Sequence, residues 1–195
     1  MDVVLETERL VVRKLTEADV DLLFALDADP EVTSFINGGK PTPREAIQHE
    51  VIPGILRYYE TVPGFGRWAL VERATGAFLG WLSLRRWTEG SPDEAVLGYR
   101  LRRAAWGHGY ATEGARAVIR RAFAELGIHR IVAHTMSVNT GSRRVMERCG
   151  MTLVRTFYQE WPDSDEIEGS DLGDVEYALT RAEWKRQQAR EDAPR

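Results

Sequence analysis

The stretch Leu101-Arg102-Arg103-Ala104-Ala105-Trp106-Gly107-His108-Gly109-Tyr110-Ala111-Thr112-Glu113 sets two glycines among small residues, between an apolar run and a helical pattern. Successive backbone N–H groups in such a loop are unobstructed by side chains and lie at the positive end of the helix dipole, so a phosphate or pyrophosphate fits there. Gly107 and Gly109 permit close approach to the main chain. Three readings compete on these residues alone. A nucleoside-triphosphate loop needs a Lys followed by Ser or Thr after its last Gly, and no Lys follows Gly109. A dinucleotide fingerprint needs a third Gly directly after the strand, where Arg102 to Trp106 intervene. The third reading is a glycine turn that merely opens a helix.

Charge near the loop favours an anion. Arg100 to Gly150 carries ten Arg against three Glu, an excess of seven positive charges in a chain of net charge −4, so the remainder sums to −11. Gln159 to Glu176 alone holds eight acidic residues and no basic one, which reads as a solvated loop or as a surface that attracts a cation. With a pI near 5.7 the chain lacks the broad basic surface that nucleic acid or an anionic membrane requires, so neither is an expected partner. A small polyanion stays compatible.

At 195 residues and 43% hydrophobic, with a mean hydropathy of −0.36, the chain is sized for one folded domain. We expect it to span 1–184, with 185–195 as a polar C-terminal tail that frays. Cys149 stands alone and the four His are scattered, so no disulfide within the chain and no metal site are expected. Asp2, Glu6, Glu8 and Arg9 interrupt the opening residues, and no run reaches the roughly 18 apolar residues of a membrane span. A cytoplasmic protein is the expectation.

The elements that must hold the loop follow from periodicity. Leu10 to Leu15 reads as a strand, and Thr16 opens a helix with Asp19 as capping-box partner and Val20, Leu23 and Leu26 on one face. Thr42-Pro43-Arg44-Glu45 is a second start, with Thr42 as cap, and Pro53 kinks or divides that helix. Strands Trp68 to Glu72, Phe78 to Trp87 and Ala95 to Leu101 form an antiparallel meander through turns at Ala74-Thr75-Gly76 and Glu89 to Asp93. A helix from Thr112 to Leu126, a strand Arg130 to Thr135, a helix Ser142 to Cys149 and strands Met151 to Trp161 and Val175 to Thr180 complete an α/β (α+β) domain. Its central sheet is mixed, of about seven strands, with helices on both faces.

Trp106-Gly107-His108-Gly109-Tyr110-Ala111 resembles the acyl-CoA loop of the GNAT acetyltransferases, which reads Arg or Gln, two residues, Gly, one residue, then Gly or Ala. Trp106 stands where Arg or Gln is usual; Gly109 and Ala111 fill the later positions. The variant continuing through Thr112-Glu113 is similar to the RimJ/RimL-like branch, which includes ribosomal-protein N-terminal acetyltransferases. Leu97 to Leu101, Asn139 to Met151, Glu6 to Arg13 and Asp174 to Trp184 match in order, so the resemblance covers almost the whole chain.

The resemblance implies a GNAT fold whose sheet splays at the acyl-CoA site, and transfer of an acetyl group from acetyl-CoA directly to a primary amine of a protein N-terminus or small molecule. Acetyl-CoA is then a co-substrate, and a homodimer is an assembly the family allows. The alternative is a non-catalytic CoA-binding sensor or scaffold. Amides of Gly107, His108, Gly109, Tyr110, Ala111 and Thr112 would hold the pyrophosphate. Main-chain groups of Tyr99, Leu101 and Arg103 would pair with the acetyl and pantetheine arm as an added strand, with Gly98 allowing a bulge, and the amide near Tyr99 would polarise the thioester carbonyl. Asn139 would bond the pantetheine region, and Arg102, Arg103, Arg144 or Arg148 would pair with phosphates.

Direct attack needs no acyl-enzyme, so Cys149 is expected to pack. Met146 occupies the position where relatives often carry a Tyr acid, which leaves Ser142 to stabilise the thiolate, against a simple capping role. Val96 stands where the branch often has its Glu base. Glu94, on the same strand face, is the substitute, with His134 and His49 as further candidates. Phe35, Trp81 and Trp87 are candidates to line the acceptor pocket, against core packing.

Overall fold

Apolar side chains alternate along the strands and so build two cores, one on each face of a single sheet. The computed structural model describes residues 2–87, 91–158 and 167–191. Its eight strands are β1 Val3–Glu6, β2 Leu10–Lys14, β3 Gly66–Glu72, β4 Phe78–Arg86, β5 Glu94–Leu101, β6 Arg130–Met136, β7 Thr152–Phe157 and β8 Asp174–Thr180. They lie in the order β1-β2-β3-β4-β5-β6-β8-β7. Neighbours are antiparallel except β5 and β6, which run parallel because helix α5, Tyr110–Glu125, carries the chain between them. The eighth strand is β1, whose four residues were too short and too mixed to register as a run.

Leu10, Leu82, Leu97, Ile131 and Tyr177 point to the face covered by α5 and α6, Thr140–Arg148. There Ala115, Val118, Ile119, Ala122 and Phe123 of α5 meet Met146 and Cys149 of α6. Ala69, Val71 and Trp81 point to the opposite face, under α1, Val20–Asp27, and α2, Pro30–Asn37. That second layer closes with α3, Arg44–Ala46, and α4, Ile52–Thr61. The Thr16 start forms as expected: Thr16 N donates to Asp19 Oδ2 at 2.8 Å, and Arg13 donates to both carboxylate oxygens, at 2.8 and 2.6 Å.

Three expectations are corrected and one is met. Thr42 does not cap: Pro43 takes that position and the Thr42 hydroxyl donates to Asp27 instead. Pro53 divides the helix as expected, through a π-helical stretch, Ile47–Val51, which widens the turn before a residue that has no N–H to give. Gly98 makes no bulge: β4 and β5 stay in register from Gly80↔Leu101 to Arg86↔Ala95, and Gly98 instead permits close packing, since a Cβ there would lie 2.7 Å from Ser83 Oγ.

Residues 185–191 of the tail are also not frayed. Glu183 Oε2 accepts from Thr180 N and Oγ1 at 2.8 and 2.7 Å, a capping box that starts α7, Arg181–Glu191. Trp184 meets Phe123 at 5.6 Å and Gln187 Nε2 donates to the Gly150 carbonyl at 3.0 Å, so α7 is held on the sheet's α5/α6 side through Gln187. The turn residues Glu89 and Gly90, and 159–161 of the strand expected to reach Trp161, lie outside the described residues.

Candidate active site

The sheet parts beside the glycine loop. Pairing between β5 and β6 consists of Glu94↔Arg130, Ala95↔Ile131 and Val96↔Val132; beyond Val96 the strands have no shared ladder. Leu101 therefore ends a half-open strand edge that leads into a short 3-10 turn, Arg103–Ala105. Trp106 fixes this transition, because its indole Nε1 donates to the Leu101 carbonyl at 2.7 Å. Gly107 and Gly109 both have φ of 80°, and Gly109 is the N-cap of α5. Any residue with a Cβ is strained there.

The loop is latched from the β1–β2 turn. Glu113, in the first turn of α5, accepts from Thr7 Oγ1 at 2.6 Å, from Arg9 N at 3.0 Å and from Arg9 Nε at 2.6 Å, while Arg9 Nη1 donates to the His108 carbonyl at 3.0 Å. Burial opposes ionisation of Glu113 most strongly, yet the Thr7 and Arg9 bonds together hold its carboxyl below the usual range. Sequence reading missed this clamp. The Thr-Glu-Arg-Leu run was visible, but nothing local says that it reaches a residue more than 100 positions away.

The other candidates fall into place around the parting. Tyr110 donates its hydroxyl to Glu72, so that side chain faces β3. Ala111 and Thr112 continue the first turn, and the Thr112 carbonyl receives the Cys149 thiol at 3.8 Å. Cys149 is buried and its thiol is pushed up to about 12, as a packing residue would be. Asn139 caps α6 through Oδ1, accepting from Ser142 N at 3.1 Å. Ser142 sits above the parted strands, where the Tyr99 hydroxyl donates to its carbonyl at 2.9 Å and lies 3.1 Å from its Oγ. Met146 is buried at 1% exposure.

Arg103 stacks over Trp106 and lies 3.4 Å from Glu31. Arg102, Arg144 and Arg148 are exposed. Arg148 borders a cleft of about 920 Å³ between β1 and α5, which Gly109, Thr112, Arg9, Arg116 and Arg120 also line. Arg116, Arg120, Arg121 and Arg148 of the arginine-rich segment thus share this cleft with Arg9 and with Glu6, Glu8, Glu113 and Glu125.

On the far face of the parting lies a single transverse row. Arg67 pairs with Ser83, Ser83 with Gly98, His134 with Glu176 and Glu176 with Arg155. Carried two residues past its last pair, the β5–β6 register would set Gly98 abreast of His134. His134 Nε2 is 3.4 Å from Glu176 Oε2, and its ring meets Trp87 and Phe157 edge-on at 5.4 and 5.6 Å. Buried Glu176 accepts from Arg130 at 2.8 Å and Arg155 at 3.0 Å. It therefore belongs to an internal network, not to a solvated acidic patch; 159–166 of that acidic stretch lie outside the described residues.

Glu94 is held by Arg130 at 3.3 Å. His49 is exposed on the π-helical stretch, apart from this row. Trp81 is buried on the row's face, whereas Phe35 lies with Trp106 along a separate cleft of about 400 Å³.

A mixed sheet parted beside a glycine-capped helix defines an acyl-transfer scaffold. Residues 9–152 match the acetyltransferase (GNAT) domain. The chain belongs to the GNAT acetyltransferase family, and its activity is N-acetyl transfer from acetyl-CoA. It is 39% identical over 191 residues to the FsC-acetyl coenzyme A-N(2)-transacetylase of Aspergillus fumigatus, a match covering 94% of this chain and 79% of that protein. A RimL ribosomal L7/L12 alpha-N-protein acetyltransferase in complex with coenzyme A superposes with a TM-score of 0.75 at 19% identity, covering 92% and 98% of the two chains. Spermidine N-acetyltransferase from Vibrio cholerae, in complex with CoA and spermine, gives 0.72 at 14%, covering 92% and 99%. Among the described residues no cluster of His, Cys, Asp and Glu could hold a metal ion, and no helix is long and apolar enough to cross a membrane.

Proposed function

We propose that the acceptor is the primary amine of a small molecule and that the reaction is direct attack across the parted strands. The single observation that carries the reading is the two-sided parting, with Ser142 and Tyr99 on the α5/α6 face and His134 on the other. The relative named for acetylating an N(2) amine supports a small acceptor.

Amides from Gly107 to Thr112 bind the pyrophosphate, and Arg102, Arg103, Arg144 or Arg148 pairs with phosphates. Asn139, its Oδ1 committed to the cap, offers Nδ2 to the pantetheine arm, which lies against Tyr99, Leu101 and Arg103. The amine nitrogen attacks the thioester carbonyl carbon, a C–N bond forms and the C–S bond breaks. The oxyanion is received by the amide near Tyr99. His134, backed by Glu176, takes the proton from the amine, a role for which it is better placed than Glu94, already held by Arg130. The Ser142 hydroxyl donates a hydrogen bond that stabilises the departing thiolate, which takes its proton from solvent.

Incubation with acetyl-CoA and an amine panel, with released CoA thiol as readout, tests this. Small amines turning over faster than peptides supports it; faster turnover of peptide N-termini overturns the choice of acceptor.

A further inference from the structure

Arg67 is a cation in search of an anion. Its guanidinium lies over the Trp81 ring at 4.4 Å, Arg100 covers the same ring at 5.3 Å, and Arg85 stands on the same sheet face by alternation with Ser83. One carboxylate serves the group, Asp27, and it is bound to Arg100. Among the described residues no carboxylate bonds Arg67 or Arg85, and Arg100 Nε is buried without a partner. Burial, then the charges of Arg100 and Arg85, lower Arg67 to about 10. A buried cation without a counter-ion is costly, and the cost disappears when an anion arrives.

The cluster is aligned with the chemistry. Arg67, Ser83 and Gly98 are successive members of one row, so the Arg67 backbone is two strand spacings, about 10 Å, from the edge where the sheet parts. Gly98 keeps the lane open, since a Cβ there would stand 2.7 Å from Ser83 Oγ and 3.6 Å from the Trp81 ring. Across the parting the charges are already satisfied, with Glu94 and Glu176 on Arg130 and Arg155.

We infer that the acceptor carries an anionic group, a carboxylate or phosphate, that docks among Arg67, Arg85 and Arg100 while its amine reaches the opening beside Gly98. This rests on the acetyl-transfer reading for the place of the amine, and on the arginines for the anion. A bidentate guanidinium is the matching receptor for either oxyanion.

The test has a binding arm and a turnover arm. Side-chain Nε–H resonances of Arg67 and Arg100 are followed by NMR as sodium phosphate or sodium acetate is added at constant ionic strength. A saturating shift is expected, and whichever anion saturates at lower concentration names the group. In turnover, leucine is compared with leucinamide, and 2-aminoethylphosphonate with propylamine. The anionic member should be preferred by about tenfold in kcat/KM, and Arg67→Met and the exposed-site variant Arg85→Gln should each shrink that ratio. No saturation by either anion, or a preference that survives both substitutions, overturns the inference. Saturation with no amine turned over upholds the anion site and faults the acetyl-transfer reading instead.

Discussion

The Tyr99 hydroxyl donates to the Ser142 carbonyl at 2.9 Å and stands 3.1 Å from the same residue's Oγ. A phenol has one proton: while it serves the carbonyl the serine donates to the phenol oxygen, and when the serine hydroxyl turns to a thiolate the phenol proton can serve Oγ instead. Burial pushes the Tyr99 phenol up, which keeps that proton in place. Tyr99 thus holds the serine Oγ in place whichever of the two hydroxyls donates. Tyr99→Phe should lower kcat about tenfold with little change in KM for acetyl-CoA, and Ser142→Ala should lower turnover more than CoA affinity. The double variant should be no slower than Ser142→Ala alone; fully additive losses would show that the two act independently.

His134→Gln should reduce kcat/KM by about 10²- to 10⁴-fold and remove the acidic limb of its pH profile. Glu94→Gln serves as the comparison. If Glu94 were the base, that variant would lose the limb and His134→Gln would keep it.

Glu113→Gln replaces a carboxylate that takes three hydrogen bonds with an amide that cannot repeat them. Because Arg9 is 46% exposed at this pair, we expect a loss of only about 1 kcal/mol, read as a lower midpoint in urea. The larger effect should be on CoA affinity, as the loop it clamps loosens. Unchanged affinity in a less stable protein would detach the clamp from the ligand.

Gly109 separates conformation from charge. Gly109→Ala should cost about 1–2 kcal/mol of stability through its φ of 80° and weaken CoA modestly. Gly109→Glu, with the same backbone penalty plus a carboxylate beside the phosphates, should abolish binding by calorimetry. Equal affinities for the two variants would refute the docking of pyrophosphate at this loop.

Acid should unfold the protein through Asp19, Glu113 and Glu176. In each, burial is the largest effect and raises the carboxyl, but hydrogen bonds outweigh it: Arg13 and Thr16 for Asp19, Thr7 and Arg9 for Glu113, Arg155, Arg130 and His134 for Glu176. All three are lower folded than unfolded, so their contribution is complete above the unfolded values of 3.8 and 4.5 and is lost as pH falls through the depressed folded ones. A urea midpoint flat above about pH 5 and falling below pH 4 is the expected curve. For Glu176→Gln the fall should be shallower.

The long α5 pattern, the β3–β5 meander and the glycine loop were legible because each is written in local periodicity or a short spacing. The transverse row was not. Arg67, Ser83, Gly98, His134 and Glu176 are scattered over more than 100 positions and meet through strand register alone. The same holds for the clamp between Arg9 and Glu113. Glu94 was chosen as the base because it lies on the right strand face, but alternation says nothing about the neighbour Arg130 that holds it. Residues 185–191 read as fraying from their polar composition, while the cap that starts their helix, Thr180 with Glu183, and the anchor Trp184 lie just before them.

The three residue pairs that join β5 to β6 act as a hem between a five-strand panel and a three-strand panel. The angle between the panels sets the width of the slot in which amine and thioester meet, and sheet twist sets that angle. Slot width is then governed at Val96 and Val132, side chains that need touch neither substrate. A bulkier residue at that hem would act as a shim, and the size of acceptor the enzyme admits would change without any alteration to the groups that handle it.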